Sequence, residues 1–238
     1  NEAHCDYYRR RRVSDEVEFP AIKVTGTMMC GDAGILNISA AEARKRLGIS
    51  EAGFLVSVFD VATVDDEWRK KFDGGPVAMD LDFGEAFFSG LSALLQALPE
   101  LSIILKLKRK IGSRYRAFPP ALLELVSDRS DYLRNGRIWL VDVNCDPFLP
   151  IAAANAAIGM PCTSPVLITV SLGRPAAYFD PHRLVGYVQE RGLRDLCIRQ
   201  TQDLIELTRT WMAGTSQTIA SEINCRPVWL ADSSLFGK

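Results

Sequence analysis

Histidine is nearly missing from this sequence: His4 and His182 are the only two in 238 residues. The six cysteines (Cys5, Cys30, Cys145, Cys162, Cys197 and Cys225) are scattered, with no CxxC pair. Zinc sites draw on closely spaced His and Cys, so a zinc site is not expected. The cysteines, several inside apolar runs, read as small buried hydrophobes and fit a reducing cytoplasm. Net charge is almost absent as well, at −1, so there is no global electrostatic pull toward nucleic acid. No apolar run approaches the roughly 18–20 residues that span a bilayer. The opening "NEAHCDYYRRRR" lacks the apolar core of a signal peptide. There is no GxxxxGK[ST] loop, no GxGxxG after a strand and no GxSxG elbow. The usual P-loop, classical dinucleotide and α/β-hydrolase signatures are thereby excluded.

What is present is an ordinary globular composition, 47% hydrophobic and 24% charged, enough for one large core or two smaller ones. "AIKVTG" (21–26) reads as a strand. "SAAEARKRLG" (39–48) reads as a helix with a capping box, Ser39 and Glu42, stopped by Gly48. "FLVSVFD" (54–60) is a buried strand, followed by a loop of about twenty residues carrying "DDEW" and "DGGP". Helical spacing runs from Phe83 to Leu98, and "SIILKLK" (102–108) is the next strand. Residues 119–136 carry proline at the start and glycine past the end, the punctuation of one helix. Then come strand 137–142, a short helix 147–157, a short strand ending at Met160, helix 165–172, strand 176–179, strand 196–199, and helix 201–214 capped by Thr201. Strands and helices alternate from 54 to 214, and the strands are continuous apolar runs. This predicts a doubly wound, parallel, Rossmann-like α/β sheet covered on both faces.

In such a sheet, ligands bind beyond the carboxyl ends of the strands. The residues there are Asp60; Lys106, Lys108, Arg109 and Lys110; Asp142, Asn144 and Asp146; Thr163 and Ser164; and Asp180 and His182. Thr163 and Ser164 stand between Pro161 and Pro165 where a helix begins. A helix start offers free N–H groups and partial positive charge, which suit a phosphate. The "KLKRK" cluster (106–110) adds cations, so a phosphorylated or nucleotide ligand is the sharper reading. The plainer readings stand beside it. Thr163 or Ser164 can be a simple N-cap, "KLKRK" a solvated strand end, Asp142 and Asp146 turn formers, and His182 a surface residue. The "RRRR" run (9–12) reads as a solvated face rather than a nucleic-acid or acidic-lipid patch.

The order "VSVFD" (56–60), "ILKLKRK" (104–110), "MPCTSPVLITVSLGRPAAYFD" (160–180) and "TQDLIELTRTWM" (201–212) resembles the carboxyl-terminal half of a GT-B glycosyltransferase. More narrowly, Pro161, Thr163 and Ser164 followed by "GRPAAYFDP" (173–181) resemble the bacterial polysaccharide-biosynthesis proteins named for a PFTS motif. Cys162 stands where that motif has phenylalanine. The resemblance covers roughly two thirds of the chain. It implies a nucleotide-sugar-binding domain of surface-polysaccharide assembly, with the nucleotide sugar as substrate and no metal required. The phosphates would be met by Thr163, Ser164, Lys106, Lys108 and Arg109, with Asp60 near the cleft and Asp180 on a ribose or sugar hydroxyl. No general base is assigned.

The resemblance also implies an organisation. Residues 1–31 would be the exit from an amino-terminal, acceptor-holding domain that the chain lacks; Asn1 in place of Met agrees with that reading. Residues 32–214 would be the donor-binding domain, and 215–238 a tail packing back on the domain interface. The protein is expected in the cytoplasm, at the inner face of the membrane or in an assembly complex there, without nucleic acid as partner. Two rivals stay open: a GT-B-fold sugar-nucleotide epimerase and a non-catalytic α/β module that binds a protein partner.

Overall fold

The apolar runs that read as buried strands are strands, and they lie side by side. The computed structural model describes residues 33–49, 53–61, 63, 80–113, 117–161, 163–183 and 196–214, all within one compact unit, Gly31–Asn224. The expected strand 21–26, the arginine run, nearly all of the loop with "DDEW" and "DGGP", and the segments 1–31 and 215–238 lie outside the described residues. Among those described, β1 (Phe54–Phe59), β2 (Leu101–Lys106), β3 (Ile138–Val141), β4 (Ala156–Gly159), β5 (Ala176–Phe179) and β6 (Cys197–Ile198) form one sheet. Every pairing is parallel and the order is β3-β2-β1-β4-β5-β6. This is the doubly wound, Rossmann-like order.

The helices are α1 (Ala40–Arg46), α2 (Leu81–Ala97), α3 (Pro120–Leu125), α4 (Asp131–Arg134), α5 (Phe148–Ala153), α6 (Ser164–Ser171) and α7 (Thr201–Met212). Side chains alternate across a strand, so each buried strand feeds two cores. Val56, Val58, Ile103 and Leu105 face a core built with α2, α3 and α7. Leu55 and Ile104 face a second core built with α1 and α5. In α2, Phe83, Phe87, Leu91, Leu94 and Leu95 fall on one helical stripe and are at most 1% exposed. Burying each contributes about 1.5–3 kcal/mol. The Phe87 ring lies 5.8 Å from that of Phe179 on β5. Gly90 lets α2 come this close, because a Cβ there would sit 2.4 Å from the Phe179 ring.

Several local expectations are corrected. Helix 119–136 is two helices, α3 and α4. The Ser127 hydroxyl donates to the Glu124 carbonyl and the Ser130 N–H to the Ser127 carbonyl, so the serines offer the backbone a turn instead of a continued helix. Helix 147–157 stops at Ala153, and β4 starts at Ala156. Asn155 is the cause: its N–H donates to the Leu55 carbonyl at 2.7 Å, and its Oδ1 accepts from the Leu55 N–H at 2.9 Å. Two arginines then hold the end of α5. Arg44 Nε donates to the Ala153 carbonyl at 2.9 Å, and Arg174 Nη1 donates to the Ile151 carbonyl at 2.8 Å. Cations at a helix carboxyl end also complement its dipole.

Two caps differ as well. The N-cap of α7 is Gln200, with Thr201 already helical and no side-chain cap bond. Ser39 does cap α1, accepting from the Glu42 N–H, but the Glu42 carboxylate pairs with Arg46 at 2.9 Å.

Candidate functional site

The strand order reverses between β1 and β4, so the crevice where open α/β sheets hold ligands lies beyond the carboxyl ends of these two strands. Register brings the site residues to one edge. Phe59 is level with Lys106 on one side and Gly159 on the other, and Gly159 is level with Tyr178. Strands stand about 4.8 Å apart, so Lys106 and Gly159 are about 10 Å apart across β1. Asp60 emerges between them.

The turn from β4 to α6 is closely tied. The Met160 N–H donates to the Phe59 carbonyl at 2.9 Å, and the Thr163 N–H to the Met160 carbonyl at 3.3 Å. Thr163 occupies the N-cap position of α6, yet it makes no side-chain cap bond. Its hydroxyl donates instead to the Met160 carbonyl at 2.8 Å. Gly159 makes room for this arrangement, since a Cβ there would lie 2.4 Å from Thr163 Oγ1 and 2.7 Å from Val166 Cγ2. Pro161 and Thr163 are buried, and Ser164, the first helical residue, is partly exposed. Cys162 lies outside the described residues. The small hydroxyl residues between the two prolines therefore have different tasks: Thr163 shapes the turn and Ser164 is presented at the helix start.

The cations are also divided. Lys106 is 9% exposed, and its ammonium donates to the Val143 carbonyl at 2.6 Å and to the Leu107 carbonyl at 3.4 Å. Lys108, Arg109 and Lys110 are exposed. Asp60 accepts a hydrogen bond from the Lys108 N–H. Its carboxyl is largely enclosed, with one edge left to solvent, and burial pushes its pKa up from 3.8 to about 6. The Lys108 N–H and the charges of Lys108 and Lys106 hold it from rising further. Replacing Lys106 by methionine removes one of these cations. The Asp60 titration is then expected to move upward, read by carbon-detected NMR of the carboxyl; an unmoved titration would contradict this coupling.

The other candidates lie along the same edge. Asp180 ends β5, 1% exposed, with its N–H on the Ile198 carbonyl at 2.7 Å. His182 is exposed and meets the Phe83 ring edge-on, centroids 5.7 Å apart. Asp142 accepts from the Asn144 N–H at 2.7 Å and Asp146 from the Phe148 N–H at 2.8 Å, which makes both of them turn formers. Burial pushes the Cys145 thiol up, against the opposing pull of Lys106. Among the described residues, no three His, Cys, Asp or Glu side chains are grouped to hold a metal ion, and no helix is long and apolar enough to cross a membrane. Sequence reasoning missed Gly159, Arg174 and Tyr178. The only available signals were the glycine ending a strand before "PCTSP" and the "GRPAAYF" string itself.

The family model for polysaccharide biosynthesis PFTS motif proteins matches residues 4–207. The chain belongs to this family. The match spans the "PCTS" string at 161–164. No curated protein matches the sequence. Among solved structures, the chain is similar to a histidine-to-alanine variant of the wall teichoic acid polymerase TagF, at 14% identity and a TM-score of 0.42, covering 76% of this chain and 41% of that one. A histidine-to-asparagine TagF variant soaked with CDPG is similar at 14% identity and a TM-score of 0.38, over 80% of this chain and 43% of that one. The chain therefore spans about two fifths of the length of these structures.

Proposed function

We propose that this chain is the nucleotide-sugar-binding half of a glycosyltransferase in bacterial surface-polysaccharide assembly. Family membership supports the setting. The observation that carries the chemistry is the start of α6, which has no side-chain cap because the Thr163 hydroxyl is turned onto Met160. A helix start of this kind, at the switch point of a parallel sheet, suits a phosphate or diphosphate. Ser164 Oγ and the first-turn amides other than that of Pro165 meet the phosphate oxygens, and Lys108 and Arg109 add charge from the segment that follows β2. Together they stabilise the leaving group as the glycosidic bond breaks. Thr163 holds the turn and Lys106 holds the neighbouring loop through Val143. Asp60, placed beside Lys108, and Asp180, at the end of β5, are assigned to sugar or ribose hydroxyls. The reading leaves the glycan acceptor and the general base to an amino-terminal half, places the work at the cytoplasmic face of the membrane, and assigns no metal.

Calorimetry with cytidine, uridine, guanosine and thymidine diphosphates tests this. One nucleotide is expected to bind, and Ser164→Ala and Lys108→Ala are each expected to weaken it by about five- to tenfold, the net size of one ordinary hydrogen bond. Binding that neither substitution changes would reject the phosphate assignment. No binding by any of the four would favour a partner-binding module.

A further inference from the structure

Tyr178 lies on β5, the strand beyond β4, and is 2% exposed. Its hydroxyl reaches over the strand end and donates to the Thr163 carbonyl at 2.8 Å. That carbonyl belongs to the N-cap residue of α6. The sheet thus grips the helix start at one peptide group. The Thr163 hydroxyl is held as well, by the Met160 carbonyl, and Met160 is held by Phe59 of β1. One bond, from Tyr178 of β5, thus holds the peptide that precedes Ser164, and the Thr163 hydroxyl and the Met160 N–H tie the turn before it back to the ends of β4 and β1.

A buried tyrosine usually gives its hydroxyl a partner. Here the partner sits at the helix start that follows β4, one of the two strands that border the crevice. We propose that Tyr178 is a positioning residue, whose hydroxyl sets the direction in which the first turn of α6 offers Ser164 and its amides to the phosphates of the ligand. The inference rests on the phosphate site proposed above and deepens it. Tyr178 touches no ligand; it acts through Thr163. Loss of the hydroxyl removes this one bond and leaves the ring in its place, so the helix start gains freedom to tilt.

Tyr178→Phe keeps the ring and deletes one O–H. It is expected to weaken the nucleoside diphosphate by about five- to tenfold, comparable to one hydrogen bond at the ligand. The affinity for the matching nucleoside, which carries no phosphate, is expected to stay unchanged. In a Ser164→Ala background the same substitution is expected to add little, because both act on one contact. A merely structural role would lower nucleoside and diphosphate binding together and would add fully to Ser164→Ala. That result would overturn the proposal. So would a Tyr178→Phe protein that binds the diphosphate as tightly as the parent while Ser164→Ala binds it weakly; the phosphate site would then stand without Tyr178. Diphosphate binding that is absent in the parent or unchanged by Ser164→Ala removes the phosphate site, and the proposal with it. A thermal melt of each variant verifies that the protein titrated is folded.

Discussion

Gly159→Ala is expected to cost about 2 kcal/mol of stability and to lower nucleotide affinity at least about tenfold. The added Cβ would sit 2.4 Å from Thr163 Oγ1 and 2.7 Å from Val166 Cγ2, well inside contact distance. Neither atom is the far end of a flexible chain. Oγ1 is held by the Met160 carbonyl at 2.8 Å, and Val166 is fully buried in the first turn of α6. Either Thr163 rotates and gives up its bond, or α6 moves away from β4. Both outcomes alter the helix start. Urea denaturation reads the stability, and calorimetry with the nucleotide that binds the parent reads the affinity. A variant equal to the parent in both would show that the turn does not depend on a bare α-carbon.

The second large effect concerns Asp60 and pH. Its folded pKa is raised, from 3.8 to about 6, so folding takes up a proton between these values. Stability linked to Asp60 is therefore highest when the carboxyl is protonated in both states. It falls as pH rises from about 4 to about 6 and stays lower above that. The gap sets a ceiling of about 3 kcal/mol, and the edge open to solvent brings the expected value to about 1–2 kcal/mol. Asp60→Asn keeps an oxygen to accept from the Lys108 N–H and carries no charge. The variant is expected to be more stable than the parent at about pH 7, with the advantage vanishing near pH 4. Urea melts across that range measure it, and a difference that does not change with pH would contradict the burial of this carboxyl.

The elements that were legible in the sequence are those where local pattern and tertiary demand coincide. In β1, β2 and α2, apolar spacing alone decides, and the parallel pairing follows from alternation. Where long-range partners decide, the local pattern misled. An alanine-rich run favours helix, but Asn155 bonded to Leu55 and two arginines on the last turn of α5 end it. In α3 and α4 the serines at 127 and 130 outweigh the helical spacing around them. The edge that carries the candidate residues was legible, because strand ends in a parallel sheet can be placed from the run lengths. The division of labour within it was not. Nothing in "KLKRK" distinguishes the buried Lys106, held by Val143, from the exposed Lys108. Nothing in "PCTSP" says that the threonine turns inward.

Val141, Lys106, Phe59, Gly159 and Tyr178 stand level across five neighbouring strands. Side chains alternate faces along a strand, so a slip of β4 against β1 by a single residue would exchange the two faces of the strand that delivers Gly159 and lift the turn after it out of line. The crevice is thus indexed by backbone pairing deep in the sheet. Substitutions in β1 or β4 that loosen this pairing are expected to disable the proposed nucleotide binding without touching any residue at the rim.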